Sequence, residues 1–122
     1  MLQKLLSLIL IITLAFSGCE KVDSVKKWTV QYRIYKKTNE AISYRVTYRV
    51  QSGATKTVGP VSDFMWESEE LVDFESGSYQ YLGIETISGK GELQLQILVN
   101  GSIYEEGTKG EYESKFEIES NL

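Results

Sequence analysis

The sequence predicts an all-β domain, an antiparallel immunoglobulin-like β-sandwich of about seven strands, preceded by an N-terminal signal helix. Apolar and polar residues alternate with a period of two in several stretches after residue 27, which places one strand face in a core and the other in water. Turn residues separate these stretches at short intervals. No Pro-rich or Gly/Ser-rich linker divides the region, so it forms one domain. A small open barrel is the alternative architecture.

The first 18 residues have the three parts of a cleavable export signal. Lys4 supplies a positive charge, Leu5–Phe16 is an uncharged apolar run, and the small residues Ser17 and Gly18 precede Cys19. About a dozen helical residues cover about 18 Å, which is short of a ~30 Å hydrocarbon core. Such a length is typical of a signal-peptide apolar region. Residues 1–18 are therefore predicted to be a lipoprotein signal peptide.

Cys19 is predicted to carry the lipid. The segment resembles the lipobox of bacterial lipoproteins, with Phe16 where leucine is commonest. Cys19 is the only cysteine, so it forms no disulfide within the chain, and its thiolate is the nucleophile that accepts a diacylglyceryl group. The alternative is an ordinary signal peptide or a single anchor helix with an incidental cysteine. Glu20 follows the cysteine, which favours the outer membrane or cell surface over the inner membrane.

Residues 19–27 are predicted to be a polar, lipidated tether and residues 28–122 the sandwich domain. Without Lys4 the net charge falls from −4 to −5, and an acidic chain is not typical of a nucleic-acid binder. Residues 19–56 hold nine basic and three acidic residues, whereas residues 57–122 hold three basic and fourteen acidic ones. Either oppositely charged strands lie side by side, or the basic half faces anionic lipid headgroups.

The first two predicted strands are Trp28–Lys37 and Ile42–Gln51, joined by a turn at Thr38–Ala41. Both alternate with a period of two, so their apolar members are expected in the core. The large aromatic residues on these faces are therefore predicted to pack in the core, and a binding role is the alternative. They are Trp28, Tyr32, Tyr44 and Tyr48.

The later strands follow the same pattern. Tyr79–Glu85 and Glu92–Val99 alternate, and Asn100-Gly101 predicts a tight hairpin from the second of these into Ser102–Tyr104. Further turns are predicted at Ser88–Gly91 and Gly107–Gly110, and a last strand by Tyr112, Phe116 and Ile118.

From about Ile42 to Phe116 the order of features resembles the MmpS family of small mycobacterial membrane proteins. The residues that carry the resemblance are Ser43-Tyr44-Arg45-Val46-Thr47-Tyr48, Gly53, Trp66, Gly77, the stretch Gly91–Gly101 and Gly110. Members of that family are β-sandwich proteins that assist large lipid-exporting transporters of the resistance-nodulation-division type. The resemblance implies the sandwich fold and an accessory role, and it assigns no functional residues here. The family is usually anchored by a transmembrane helix, and its Leu-Pro-Trp is Phe64-Met65-Trp66 in this chain.

The sequence indicates neither an enzyme nor a bound cofactor. It has no histidine, its one thiol is assigned to the anchor, and it has no Gly-rich phosphate loop. An acidic run extends over residues 63–75, and its spacing matches no EF-hand. It is interpreted as a solvated edge, with a cation site or a pair of catalytic carboxylates as alternatives. The run consists of Asp63, Glu67, Glu69, Glu70, Asp73 and Glu75.

Phe64, Met65 and Trp66 are the predicted binding surface. Strict alternation buries either Phe64 and Trp66 or Met65 alone, so at least one bulky side chain can be exposed among acidic residues. The sequence therefore predicts a membrane-anchored lipoprotein that serves as a non-enzymatic binding or accessory module for another envelope protein or transporter. The alternative is a module that binds lipid, glycan or a small ligand through Phe64–Trp66.

Overall fold

The computed structural model describes residues 27–122, so the predicted signal peptide, Cys19 and the tether up to residue 26 lie outside the described residues. Nine strands make up the fold. They are β1 (Lys27–Lys36), β2 (Ile42–Arg49), β3 (Thr55–Val61), β4 (Met65–Glu67), β5 (Leu71–Glu75), β6 (Tyr79–Gly89), β7 (Leu93–Val99), β8 (Ser102–Lys109) and β9 (Lys115–Asn121). In this part of the chain no helix is long and apolar enough to cross a bilayer.

The strands form two antiparallel sheets, which confirms the predicted sandwich. In the first sheet the order is β4-β1-β7-β8, and β5 pairs with the other half of β1. In the second sheet the order is β3-β2-β6-β9. The four central strands β1, β7, β2 and β6 are those with the clearest sequence alternation, because each has one face against the other sheet.

Inward-facing apolar side chains fill the space between the sheets. The predicted aromatic core is confirmed for Tyr32, Tyr44 and Tyr48, which are at most 1% exposed, while Trp28 is half-buried at the core margin. The ring of Tyr48 packs against that of Tyr32 at 5.3 Å between centroids. Buried aliphatic residues complete the core: Val30, Ile34, Ile42, Val46, Leu82, Ile84, Leu93, Leu95, Ile97, Val99 and Ile118.

Tyr32 joins the two sheets across the core. It belongs to β1 of the first sheet, and its hydroxyl donates a 2.7 Å hydrogen bond to the carbonyl oxygen of Arg49 at the end of β2. Burial raises the pKa of Tyr32, so the phenol stays protonated and can donate this bond. A single side chain therefore supplies both core volume and a polar link between the sheets.

Ser68 and Glu69 form a second link between the sheets. The Tyr32 amide donates to the Ser68 hydroxyl at 3.0 Å, and the Ser68 amide donates to the Tyr32 carbonyl at 2.9 Å. The carboxylate of Glu69 accepts hydrogen bonds from Tyr48 at 2.9 Å and from Lys56 at 3.2 Å. Because Ser68 is bound to the first sheet and Glu69 to the second, the short segment between β4 and β5 holds one edge of the sandwich closed.

The structure differs from the predicted elements in four places. Ser88 and Gly89, predicted as part of a turn, belong to β6, and Tyr112, predicted in the last strand, lies in the connection before β9. Residues 55–75 carry no predicted strand, although β3, β4 and β5 lie there. The predicted turn at Gly107–Gly110 is wrong, because Gly107 and Lys109 belong to β8. Gly107 is needed inside that strand, since a Cβ there would lie 2.9 Å from Ile118 and 3.0 Å from the Phe116 ring. The glycine allows β8 and β9 to approach closely.

The sandwich has two ends, which the antiparallel topology defines. At the proximal end lie the start of β1 and the turns at residues 50–54, 76–78 and 100–101. At the distal end lie the connections at 37–41, 62–64, 90–92 and 110–114. Since the predicted tether enters β1, it joins the domain at the proximal end.

Opposite charges pair between neighbouring strands. Arg33 of β1 contacts Glu67 of β4 at 3.1 Å, and Arg45 of β2 contacts Glu85 of β6 at 2.9 Å. Both pairs are solvent-exposed, and such pairs contribute at most about 1 kcal/mol each. They support the interpretation that the basic and acidic halves of the sequence offset each other across the sheets.

We expect the domain to lose stability at alkaline pH, because Tyr44 is buried and Tyr81 is partly buried. Burial, with the nearby Asp63, raises the pKa of Tyr44 from 10.0 to about 12, and burial with a hydrogen bond to Glu117 raises that of Tyr81 to about 12. Because the folded pKa exceeds the unfolded one, this stability is complete below pH 10 and is lost as the pH rises from 10 towards 12. Urea unfolding at stepped pH, with tyrosinate absorbance as a second signal, measures the loss. Tyr44→Phe should lessen the dependence, whereas constant stability between pH 10 and 12 would contradict the assignment.

Candidate functional site

Several large apolar side chains are exposed at or near the distal end. Phe64 is 60% exposed and Met65 46%, at the connection between β3 and β4. Tyr112, between β8 and β9, is 80% exposed, and Ile87 near the end of β6 is 46% exposed. Single exposed apolar residues are common, but several at one end of a small domain are typical of an interaction surface.

The structure shows neither of the two predicted arrangements at Phe64–Trp66, because Phe64 precedes β4 and is exposed together with Met65. Trp66 faces inward, where its ring packs against Tyr48 at 5.6 Å between centroids, while Phe64 projects into solvent. The backbone at this point is fixed. The Lys36 amide donates to the Phe64 carbonyl at 2.9 Å, and Met65 is paired with Tyr35 in the sheet. Phe64 is therefore an exposed ring on an ordered backbone, with little further ordering needed for binding.

A shallow depression lies beside Phe64. It has a volume of about 260 Å³ and is lined by Lys36, Ser43, Ser62 and Ser88 among others. Ser43 and Ser88 are cross-strand partners in β2 and β6, and small side chains at these positions leave the space open. The depression offers serine hydroxyl groups and one ammonium group.

Tyr112 and Lys90 form another part of the distal end. The Lys90 ammonium lies 5.5 Å from the centroid of the Tyr112 ring and 3.6 Å from the carboxylate of Glu111. A cation near an aromatic face contributes about 0.5–1 kcal/mol at exposed sites. This contact holds the Tyr112 ring against the neighbouring connection while the ring stays exposed to solvent.

Lys109 is buried beneath these connections. Its ammonium donates to the carbonyl oxygens of Gly91 at 2.9 Å and Gly110 at 2.6 Å, and the residue has no exposed surface. Burial lowers the pKa of Lys109, and nearby Glu113, Glu111 and Glu92 oppose that shift. The ammonium therefore ties residues 90–92 to residues 110–114. This role of Lys109 is not apparent from the sequence, in which Gly107–Gly110 is predicted to be a turn.

The acidic run is dispersed along β4 and β5. Glu67 pairs with Arg33, and Glu69 is bound by Tyr48 and Lys56. A hydrogen bond from its own backbone amide is the largest cause of the lowered pKa of Glu69. Within residues 27–122, no group of three or more Asp, Glu, Cys or His side chains is placed to hold a metal ion. The two paired carboxylates support the solvated-edge interpretation of the run.

No protein-family model matches the chain, and no curated protein matches it significantly. Cys19, the predicted lipidation site, lies outside the described residues, so its modification stays a prediction. Function is therefore inferred from the residues themselves and from the distal end of the sandwich.

Proposed function

We propose that the protein is a lipid-anchored, non-enzymatic lipoprotein of the cell envelope, and that its distal end docks on another envelope protein as an accessory to a membrane transporter. The observation that carries this proposal is the exposed Phe64 ring, held on a hydrogen-bonded backbone at the end of the domain opposite the predicted tether. The MmpS resemblance favours a transporter as the class of partner.

The tether length supports this orientation. Seven residues lie between Cys19 and Lys27, and the eight extended steps from one Cα atom to the other span at most about 29 Å. The proximal end is therefore restricted to the membrane surface when Cys19 carries lipid. A strand of 10 residues such as β1 adds roughly 33 Å, so Phe64 is presented well above the headgroups.

The energetics favour docking over a purely structural role for the ring. Burying a phenylalanine side chain against a partner contributes about 1.5–3 kcal/mol, and aromatic residues are enriched among those that dominate interface energy. Phe64 makes no contribution of that size while it is 60% exposed.

A small-ligand module is the second proposal, and the depression beside Phe64 supports it. Its volume of about 260 Å³ lies just below the range of about 300–1,000 Å³ that is usual for small-molecule sites. This size favours docking of a protein segment, with Phe64 as the anchor, over enclosure of a free ligand.

Site-specific photo-crosslinking in the native envelope tests the proposed partner. A photoreactive residue is placed at position 64 of the full chain. As a control it is placed at Val72, which is 48% exposed on β5, the strand that pairs with the first half of β1. We expect one dominant membrane-protein adduct from position 64 and none from position 72. Phe64→Ser should reduce capture of that protein at least tenfold. Absence of an adduct, or the same adducts from both positions, would overturn docking through Phe64.

The ligand alternative has its own measurement. A ligand bound at the Phe64–Trp66 segment should change the fluorescence of Trp66, whose ring packs against Tyr48, and Trp66→Phe should remove that change. Trp28, the other tryptophan, pairs with Phe74 near the proximal end and supplies the unaffected signal. A change that persists in Trp66→Phe would place the ligand elsewhere.

A further inference from the structure

The outer face of the second sheet contains a trough that is separate from the proposed docking surface at the distal end. The trough has a volume of about 580 Å³, larger than the depression beside Phe64 and within the usual range for ligand sites. It lies over the middle of β2, β6 and β9, centred on Gly83. Thr47 and Glu117 are the cross-strand neighbours of Gly83.

A row of three charged side chains forms one wall of the trough. Arg45, Glu85 and Lys115 are in register across the three strands. One oxygen of Glu85 accepts from Arg45 at 2.9 Å, and the other lies 3.3 Å from the Lys115 ammonium. Both cations keep N–H groups beyond those used by Glu85, because a guanidinium has five and an ammonium three. The wall is therefore fixed in position and still rich in donors.

Tyr81 and Glu117 form the opposite wall. The Tyr81 hydroxyl donates to Glu117 at 2.7 Å, and the tyrosine ring lies against Gly83, where a Cβ would be 2.9 Å from the ring carbon that bears the hydroxyl. A side chain at position 83 would displace the ring. Gly83 thus allows the Tyr81 ring to lie close over the backbone of β6, where it is partly exposed and lines the trough.

The lining is balanced in charge and dense in hydrogen-bonding groups. It contains two cations, Arg45 and Lys115, and two carboxylates, Glu85 and Glu117. A free anion gains little from such a balanced set, and a metal ion would compete with cations already bound to Glu85. Planar donors and acceptors beside an aromatic ring suit a ligand that carries several hydroxyl groups and one apolar face.

We propose that this trough is a binding site for an uncharged saccharide. A sugar ring lies over Tyr81 with its apolar face, and its hydroxyl groups bond to Arg45, Glu117 and Glu85. Because the site is an open sheet face and the polar groups stay accessible to water, binding is weak, with a Kd on the order of 1 mM for a trisaccharide.

The test uses the full chain in a phosphocholine detergent, because alkyl-glycoside detergents would themselves compete. Cellotriose, maltotriose and N,N′,N″-triacetylchitotriose are titrated into the protein, and binding is followed by saturation-transfer NMR. Trigalacturonate is the acidic counterpart. We expect at least one uncharged trisaccharide to bind, and Arg45→Gln and Tyr81→Ala each to weaken it at least tenfold.

Arg33→Gln is the matched control, since Arg33 and Glu67 form a similar exposed cross-strand pair on the first sheet. It should leave the affinity within twofold. If Tyr81→Ala fails to fold, Arg45→Gln alone decides, because an exposed side chain is changed there without altering the backbone. No signal from the three uncharged sugars at about 10 mM, binding of trigalacturonate alone, or equal effects of Arg45→Gln and Arg33→Gln would each overturn the proposal. None of these results bears on docking through Phe64.

Discussion

Replacing Tyr32 with alanine is expected to destabilise the domain by about 3–5 kcal/mol, a large part of the 5–15 kcal/mol typical of a native protein. The side chain is fully buried, packs against Tyr48 and donates to the Arg49 carbonyl in the other sheet. Its removal leaves a cavity between the sheets and an unpaired buried acceptor. Urea unfolding measures the difference in unfolding free energy between the variant and the wild type, provided that both have the same m-value.

Two further variants separate the causes of this loss. Tyr32→Phe keeps the ring and removes only the bond to Arg49, so its expected cost is about 1–3 kcal/mol. Tyr112→Ala changes an 80% exposed ring and should cost no more than about 0.5 kcal/mol. If Tyr32→Ala unfolded at nearly the wild-type urea concentration, Tyr32 would not be the link between the sheets.

Replacing Cys19 with serine is expected to move the protein from the membrane fraction to the soluble fraction. Each buried CH₂ of an acyl chain contributes about 0.8 kcal/mol, so the loss of two long chains removes the attachment almost completely. Membrane fractionation and the mass of the N-terminal peptide measure the outcome. The wild-type peptide should carry the lipid on residue 19.

Ser24→Cys in the Cys19→Ser background is the control for position. That thiol lies outside the Ser-Gly-Cys context, so it should not restore membrane attachment. A Cys19→Ser chain that stays membrane-bound after signal cleavage would contradict the lipid anchor. A wild-type chain that keeps its signal and carries no lipid on Cys19 would favour the anchor-helix alternative.

The central strands could be predicted from sequence because apolar and polar residues alternate along them, although both faces of β7 are buried. β1 and β2 show this directly, with alternating burial from Val30 to Ile34 and from Ile42 to Tyr48. Strands β3 to β5 could not be predicted in this way, because the alternation of apolar and polar residues is interrupted there. Gly59-Pro60 lies within β3, and β5 contains a bulge at Asp73, whose φ of 67° breaks the period of two.

The two proposed binding sites also differ in how far the sequence predicts them. Local alternation predicts an exposed bulky residue at Phe64–Trp66, but the structure matches neither predicted arrangement, because Phe64 and Met65 are both exposed and Trp66 packs inward. The trough depends on register between distant segments. Arg45, Gly83 and Lys115 become neighbours only when β2, β6 and β9 pair, and no local pattern predicts that alignment.

The place of β1 in the first sheet has a mechanical consequence. The predicted tether enters β1 at Lys27, and β1 is bonded along one side to β7 and along the other to β4 and β5. A pull on the tether, resisted by a partner at Phe64, acts along the strand axis and perpendicular to the hydrogen bonds. These bonds then bear the load together in shear and do not open one after another. The domain would accordingly transmit tension between a membrane and a bound partner with a slow rate of forced unfolding.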